Sequence, residues 1–419
     1  MAIQQFKTAY LQVIRRLLLF LLAAGMTAGC SKKTDPVPDP QPEGPASHTM
    51  LLYMPGRSLM TFYNNNIRGI EEAVSARALG DGRVLVCYQP TSHGQAVLFE
   101  LRYDAKQKTC VREPLKEYAA FNAGSEDSVR ELLLDVQQLA PARSYGLMIG
   151  CHGSAWAPSD FELSSYALLP DRVPMTRAEQ RSEASETDTR AFGDTGYRLE
   201  IGELAGIVEQ LPFRFNYLIF DACFMANIET LYELRHAFDY VVASPCEIMA
   251  AGFPYARAVP YLYASGRADL AAVCQEFWNF YEHDWNSVFN NLQSGCISLA
   301  VMSELEALAD AAAAIQAGPQ RAYEVGELQY YEGMRRHLFY DFGQYMRAIC
   351  DDDTLYDRFE KQFDRAFPAA SRLHTATFYS DFNSVIIPVK SYSGVSTSEP
   401  SERDPERYRE TDWYRRVHK

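Results

Sequence analysis

Two apolar segments of the chain end on side chains that can do nucleophilic chemistry. Residues 145–151 lead into His152-Gly153, and residues 215–222 lead into Cys223. If the two segments are neighbouring parallel strands, both side chains emerge at the carboxyl edge of one sheet, where ligands bind in open α/β folds. An imidazole beside a thiol can take its proton and later protonate a leaving amine. The pattern therefore predicts a cysteine nucleophile, Cys223, with His152 as its acid–base partner.

The backbone beside these side chains can complete such a site. Gly153 lets the main chain approach closely, and its amide together with that of Cys223 can form an oxyanion hole for a tetrahedral intermediate. Taken singly, a histidine at a strand end or a cysteine in an apolar run is more often a packing residue. The combination on two predicted parallel strands is what indicates a site.

The rest of the chain supplies elements that can position this pair. Continuous apolar strands alternate with helical patterns, which is typical of a parallel sheet covered by helices on both faces. The predicted strands of this part are 48–54, 83–88, 144–151, 215–221 and 240–244, with an antiparallel pair at 97–103 and 109–113. The predicted helices are 58–78, one beginning at 125, 201–211 and 224–237. The remainder is more helical, with helices at 269–281 and 303–317, strands at 295–302 and 384–389, and a docking helix at 408–417.

The two motifs resemble the clostripain family of cysteine endopeptidases, whose clan includes caspases, legumains and gingipains. In that family an apolar strand ends in His-Gly and a later one in Asp-Ala-Cys, as at His152-Gly153 and Asp221-Ala222-Cys223. Supporting segments lie at residues 51–54, 189–193 and 244–255. The resemblance implies an α/β fold, a caspase-like α/β/α sandwich with a mostly parallel central sheet. It also implies a dyad of His152 and Cys223 with no obligatory third acid.

The resemblance further implies that Asp221 lines the S1 pocket and favours Arg or Lys before the cleaved bond. A carboxylate at a pocket floor can bind a guanidinium through two hydrogen bonds. The alternative is a structural carboxylate that satisfies the amides of a helix N-terminus. The family commonly carries a second S1 acid in a segment Gly-Asp-Gly-Trp-Pro-Tyr, where this chain has Ala251. Glu247 lies nearby and is either a substitute or a surface residue.

Residues 154–198 form a long polar segment between the two motifs. Segments of this length inside a compact domain are often functional, and members of the family are often matured by cleavage between the His and the Cys. We therefore expect self-cleavage in 154–198, the alternative being an ordinary surface loop. The candidate sites are Arg172, Arg177, Arg181 and Arg190.

The N-terminus has the features of an export signal. Basic residues precede an apolar run at 17–24, which is too short to span a bilayer. Small residues directly before Cys30 resemble a bacterial lipoprotein box and imply lipidation of Cys30; the alternative is an ordinary signal peptide. The polar, Pro-rich stretch that follows is typical of a tether. We divide the chain into a signal peptide (1–29), a lipidated Cys and tether (30–47), a catalytic domain (48–260) and a C-terminal extension packed on it (261–419).

Composition narrows the function further. The 419 residues carry a net charge of −14, which argues against nucleic acid as a partner. The chain has no C-x-x-C pair and no D-x-D-x-D-G loop, so neither a metal nor a cofactor is predicted. Eight cysteines follow Cys30 with irregular spacing, and no disulfide is assigned.

The predicted protein is a monomeric, lipid-anchored cysteine endopeptidase of the bacterial cell envelope, at the outer membrane or cell surface. Its partners are protein or peptide substrates and, through the lipid, a membrane. Two alternatives remain. One is a non-catalytic surface lipoprotein of the same fold that binds proteins or peptides, and the other is a peptidase of altered specificity.

Overall fold

The structure is a computed structural model, and it describes residues 44–56, 59–89, 94–158, 198–285 and 292–419. The signal peptide, Cys30 and nearly all of the tether lie outside these residues, as does the 159–197 part of the segment expected to be cleaved. The strands are β1 (Thr49–Met54), β2 (Arg83–Tyr88), β3 (Ala96–Asp104), β4 (Thr109–Tyr118), β5 (Tyr145–Gly150), β6 (Phe215–Asp221), β7 (Phe238–Ala243), β8 (Cys296–Val301), β9 (Tyr340–Asp341), β10 (Leu373–His374), β11 (Thr377–Ser380), β12 (Val385–Pro388) and β13 (Ser396–Thr397).

Helices separate most of these strands. The amphipathic patterns of the sequence locate most of the longer ones to within a few residues, but the helix at Asp353–Ala366 was not predicted. Short 3₁₀ and π turns add to them, the longest at Val259–Gly266 and Phe280–Asp284. The α-helices are α1 (Met60–Ser75), α2 (Glu126–Leu139), α3 (Ile201–Glu209), α4 (Ile228–Glu233), α5 (Tyr255–Ala258), α6 (Leu270–Asn279), α7 (Leu305–Gln316), α8 (Phe342–Ile349), α9 (Asp353–Ala366), α10 (Pro405–Tyr408) and α11 (Asp412–Val417).

A nine-stranded sheet forms the centre, in the order β10-β8-β7-β6-β5-β1-β2-β3-β4. The five strands from β7 to β2 run parallel to one another. Antiparallel strands complete the sheet, with β3 and β4 at one edge and β8 and β10 at the other. The predicted mostly parallel sheet is therefore confirmed.

Successive residues of the central strands pack on opposite faces, as the two-residue period of a strand requires. Leu51 and Leu147 face a core that is covered by α2, α3, α4, α7, α8, α9 and α11. Met50 and Met148 face a second core, covered by α1, α5 and α6. Every residue of β1 and β5 is buried, which explains their continuous apolar sequences. The result is the expected three-layer α/β/α sandwich.

The helix expected at 224–237 is shorter and begins later. A turn occupies the residues after Cys223, and α4 begins at Ile228 with Asn227 as its N-cap, whose side chain accepts a 3.1 Å hydrogen bond from the Thr230 amide. Cys223 therefore does not lie at a helix N-terminus. The helix cannot begin at residue 224, because the φ of 64° at Phe224 is incompatible with a right-handed helix.

Residues after 260 contribute to the central sheet as well as to its cover. β8 pairs antiparallel with β7 through four residue pairs, and β10 extends the sheet beyond β8. The central sheet therefore includes residues on both sides of position 260. The domain boundary placed there stays a prediction. Within the residues described, no helix is both long and apolar enough to cross a membrane.

Candidate active site

The ends of β5 and β6 lie side by side. Their parallel register pairs Gly150 with Asp221, and the Cys151 amide donates a 3.3 Å hydrogen bond to the Asp221 carbonyl. His152 and Cys223 each lie two residues after this Gly150–Asp221 pair. The two motifs therefore emerge from adjacent strands at the carboxyl edge of the sheet.

Gly153 lies directly against the backbone of Cys223. A Cβ atom at residue 153 would lie 2.3 Å from the Cys223 carbonyl oxygen, 3.2 Å from its amide nitrogen and 2.9 Å from Met225 Sδ. Real Cβ atoms do not tolerate the shortest of these distances, so the contact requires glycine. This approach brings the amides of residues 153 and 223, the two expected oxyanion donors, into one small region.

The Cys223 thiol sits in an apolar environment. The residue is only 1% exposed and shares a buried cluster with Phe224, Cys246 and Phe339. Its Sγ lies 3.9 Å from the Ile248 carbonyl oxygen. His152 is half-buried. Cys223 is therefore largely shielded from solvent.

Asp221 is fully buried, two residues before Cys223. Its Oδ2 accepts a 2.6 Å hydrogen bond from the phenol of Tyr255, the first residue of α5. Its side chain thus contacts the segment that follows β7, one wall of the region beside the nucleophile.

Glu247 is buried, not a surface residue. It is 2% exposed, and its Oε1 accepts a 3.0 Å hydrogen bond from the Asp381 amide. Its neighbours Cys246 and Ile248 both contact the nucleophile turn (residues 223–226). The Phe224 amide donates a 3.1 Å hydrogen bond to the Cys246 carbonyl, and the Ile248 carbonyl oxygen lies 3.9 Å from Cys223 Sγ. Ala251, at the position of the missing acid, is half-buried. A carboxylate therefore lies on the segment beside Cys223 despite the alanine at 251.

Sequence reasoning missed the contribution of the C-terminal part to this region. The ring of Phe339 stacks on that of Phe224 with centroids 4.8 Å apart, and Phe382 lies 6.3 Å from Phe224. Phe382 lies in the turn that joins β11 to β12. An apolar residue far along the chain carries no sequence signal for such a contact.

The eight cysteines after Cys30 are all free thiols. Cys296 is buried in one cluster with Cys246, and burial together with this neighbour raises the pKa of the Cys296 thiol. Burial likewise raises the pKa values of Cys87 and Cys274. These three thiols are therefore poor nucleophiles. In the part of the chain that the structure describes, no group of three or more His, Cys, Asp or Glu side chains is arranged to hold a metal ion.

A cavity of about 780 Å³ lies away from this region, near the first residues of β6 and β7. Arginines line it, but Arg214 pairs with Asp239 at 2.8 Å and Arg235 with Glu306 at 2.6 Å. Ligands of open α/β sheets bind at the opposite, carboxyl ends of the strands. The β5 and β6 ends, rather than this cavity, are therefore the candidate site.

Comparison with known proteins agrees with this fold. Residues 179–398 match the sequence profile of the clostripain family, a range that includes Cys223 and begins after His152. A secreted cysteine protease of Bacteroides thetaiotaomicron, iotapain, is 29% identical, with a TM-score of 0.77 over 90% of this chain and 100% of its own. An inactive protease zymogen of Parabacteroides distasonis is 27% identical, with a TM-score of 0.73 over 89% of this chain and 99% of its own. No curated protein matched the chain.

A third structure has the same fold at 22% identity, with a TM-score of 0.72 over 89% of this chain and 99% of its own. It is a secreted cysteine protease of Bacteroides thetaiotaomicron in complex with an irreversible peptide inhibitor. The fold and the similar proteins define a cysteine peptidase with a caspase-like architecture. More narrowly, the chain belongs to the clostripain family.

Proposed function

We propose that this peptidase is an endopeptidase with a dyad of Cys223 as nucleophile and His152 as acid–base. The close approach of Gly153 to the Cys223 backbone carries the proposal, because it joins the turn after β5 to the turn after β6. A thiol needs a base within reach to become an effective nucleophile at neutral pH. His152 is the histidine that belongs to these two turns.

The proposed reaction follows from these positions. The Cys223 sulfur bonds to the substrate carbonyl carbon as its proton passes to His152, and the Gly153 and Cys223 amides bind the oxyanion that forms. The C–N bond then breaks while His152 gives its proton to the leaving amine. A water molecule, deprotonated by His152, cleaves the thioester and regenerates the thiol.

We further propose that Asp221 selects Arg or Lys before the cleaved bond. Its carboxylate is buried, close in sequence to the nucleophile and held by Tyr255, as suits a group at the floor of a narrow pocket. Altered specificity is the rival proposal, and the alanine at position 251 favours it. Peptides that differ only in the residue before the cleaved bond separate the two.

Maturation and location complete the proposal. The burial of Cys223 supports a chain that gains activity on processing, which we place within 154–198. We propose export followed by lipidation of Cys30 and display of a monomer at the cell envelope, and the description of iotapain as secreted supports the export step. Radiolabelled palmitate incorporated by wild type and not by Cys30→Ala tests the anchor.

A peptide acyloxymethyl ketone with Arg next to the electrophile tests the chemistry directly. Wild type becomes covalently labelled, whereas Cys223→Ala does not, and His152→Ala labels at least about 100-fold more slowly because the thiol lacks its base. Cys274→Ala is the matched control, since it removes a buried thiol far from the site. Labelling that persists in Cys223→Ala and disappears in another cysteine variant would refute the assignment.

A further inference from the structure

The residue directly after Cys223 adopts an unfavourable backbone conformation. Phe224 has a φ of 64°, in the left-handed region that bulky residues rarely enter. Such a conformation persists only where the surrounding structure imposes it. The position of the Cys223 thiol and amide therefore depends on whatever holds Phe224.

Backbone contacts hold one side of this turn. The Phe224 amide donates a 3.1 Å hydrogen bond to the Cys246 carbonyl, and the Ala226 amide donates a 2.9 Å hydrogen bond to the Ser244 carbonyl. These bonds tie the turn to the segment after β7. They fix the main chain on that side but leave the Phe224 side chain to be placed by other contacts.

The ring of Phe224 is held by Phe339. The two rings are nearly parallel, 24° apart with centroids separated by 4.8 Å, and both are buried. An offset stack of this kind stabilises one arrangement of the two rings over others. Phe339 is thus the closest aromatic contact of the strained residue among the ring pairs described.

Phe339 is itself fixed by a segment folded around a buried carboxylate, the Glu332 loop (residues 332–339). Glu332 Oε1 accepts hydrogen bonds from the amides of Leu338, at 2.6 Å, and Phe339, at 3.2 Å. Its Oε2 accepts from the Met334 amide at 3.1 Å and lies 2.8 Å from His337 Nδ1. Because the amide of residue 339 is bound to this carboxylate, the loop presents the ring to Phe224 in a defined place.

We propose that Phe339 is a positioning residue for catalysis, which holds Phe224 in its left-handed conformation and so places the Cys223 thiol and amide for attack. The inference rests on the proposed role of Cys223 as nucleophile. It gives the C-terminal part of the chain a direct role in the reaction. Displacements of about an ångström at a reacting group cost large factors in rate, so a relaxed turn lowers kcat without changing how the substrate binds.

The test compares Phe339→Leu with Phe359→Leu in the full-length chain. Phe359 is equally buried and packs on Phe342 and Phe363, away from the nucleophile turn. We expect Phe339→Leu to lower kcat about five- to tenfold, the factor that corresponds to one aromatic pair. Its KM stays within about twofold, and alkylation of Cys223 by iodoacetamide slows by the same factor as kcat. Phe359→Leu leaves both rates unchanged while lowering the melting temperature to a similar extent.

A glycine at position 224 makes the test specific. Glycine adopts a φ of 64° without steric cost, so Phe339→Leu should have no further effect on kcat in a Phe224→Gly chain. An equal loss of kcat in both backgrounds, or equal effects of the two leucine variants, overturns the inference. Full activity of Cys223→Ala would instead remove the proposed function, and the two failures are therefore distinguishable.

Discussion

The phenol of Tyr255 donates a 2.6 Å hydrogen bond to Oδ2 of Asp221, and both residues are buried. This pair connects the end of β6 with the segment after β7. The hydrogen bond fixes the orientation of the carboxylate relative to the segment after β7.

If Asp221 binds the basic side chain of the substrate, removing its charge changes specificity. We expect Asp221→Asn to lower kcat/KM for an Arg peptide about 10- to 100-fold, the range for hydrogen bonds to a charged group. The same variant should leave a glutamine peptide nearly unaffected. Tyr255→Phe removes the hydrogen bond but leaves the Asp221 carboxyl group in place, so its loss of kcat/KM for the Arg peptide should be smaller. Equal losses for both peptides would show that Asp221 has a purely structural role.

Gly153 offers a prediction about the backbone alone. A Cβ at this position meets the Cys223 carbonyl at 2.3 Å, so Gly153→Ala must separate the two turns. We expect kcat/KM to fall at least about 100-fold, comparable to losing an oxyanion donor, with an unchanged far-ultraviolet circular dichroism spectrum. Gly206→Ala is the matched control, because nothing lies within 4 Å of a Cβ there. A fully active Gly153→Ala enzyme would contradict the proposed contact.

Self-processing can be followed by gel electrophoresis and N-terminal sequencing. We expect the purified wild type to be cut within 154–198 after one of the four arginines, while Cys223→Ala stays intact. Adding mature enzyme to the Cys223→Ala chain distinguishes cleavage in trans from cleavage in cis. A wild-type chain that remains whole and yet hydrolyses peptides would show that activity does not need this cut.

His48 makes the fold sensitive to acid. Burial lowers its pKa from 6.5 to about 4, and its ring nitrogens lie 2.7 Å from Ser144 Oγ and 2.8 Å from the Tyr217 phenol oxygen. His48 binds a proton more readily in the unfolded chain than in the folded one. Its contribution to the free energy of unfolding is therefore full above pH 6.5 and is lost as the pH falls through 4. Between pH 7.5 and 4.5 we expect wild type to lose about 2 to 3 kcal/mol of unfolding free energy more than His48→Gln. Urea denaturation at the two pH values measures the difference, and parallel losses would refute it.

Glu229 gives the free energy of unfolding the opposite pH dependence. Burial raises its pKa from 4.5 to about 7, although Thr397, Ser398 and Tyr408 donate hydrogen bonds to its Oε1. The contribution of Glu229 to the free energy of unfolding is therefore present below pH 4.5 and is lost as the pH rises through 7. We expect Glu229→Gln to gain stability relative to wild type between pH 5 and 8, by up to about 3 kcal/mol. A difference between the two proteins that does not vary with pH would contradict this.

The sequence predicted the parts of this fold that depend on local pattern. Residues 145–150 and 215–221 read as buried strands because they are apolar on both faces, and their adjacency places the two motifs together. Phe224 was misjudged because no glycine marks its left-handed turn, so the following residues resembled a helix from 224 onward. The contact with Phe339 that accompanies this turn lies far along the chain.

Glu247 illustrates the second limit. A glutamate is rarely buried, so a surface position was a natural alternative. Its Oε1 is hydrogen-bonded to the amide of Asp381, which directly follows β11 and lies far along the chain. No spacing within residues 244–255 reveals such a donor.

The two edges of the central sheet are poor templates for another chain. β10 is only two residues long, and β4, at the other edge, carries Pro114 and four charged residues. Short or charged edge strands and prolines discourage strand addition between molecules. If the chain stopped at residue 260, β7 would instead become an edge strand with unpaired amides and carbonyls. The residues beyond 260 thus protect the sheet from aggregation, which also supports the proposed monomer.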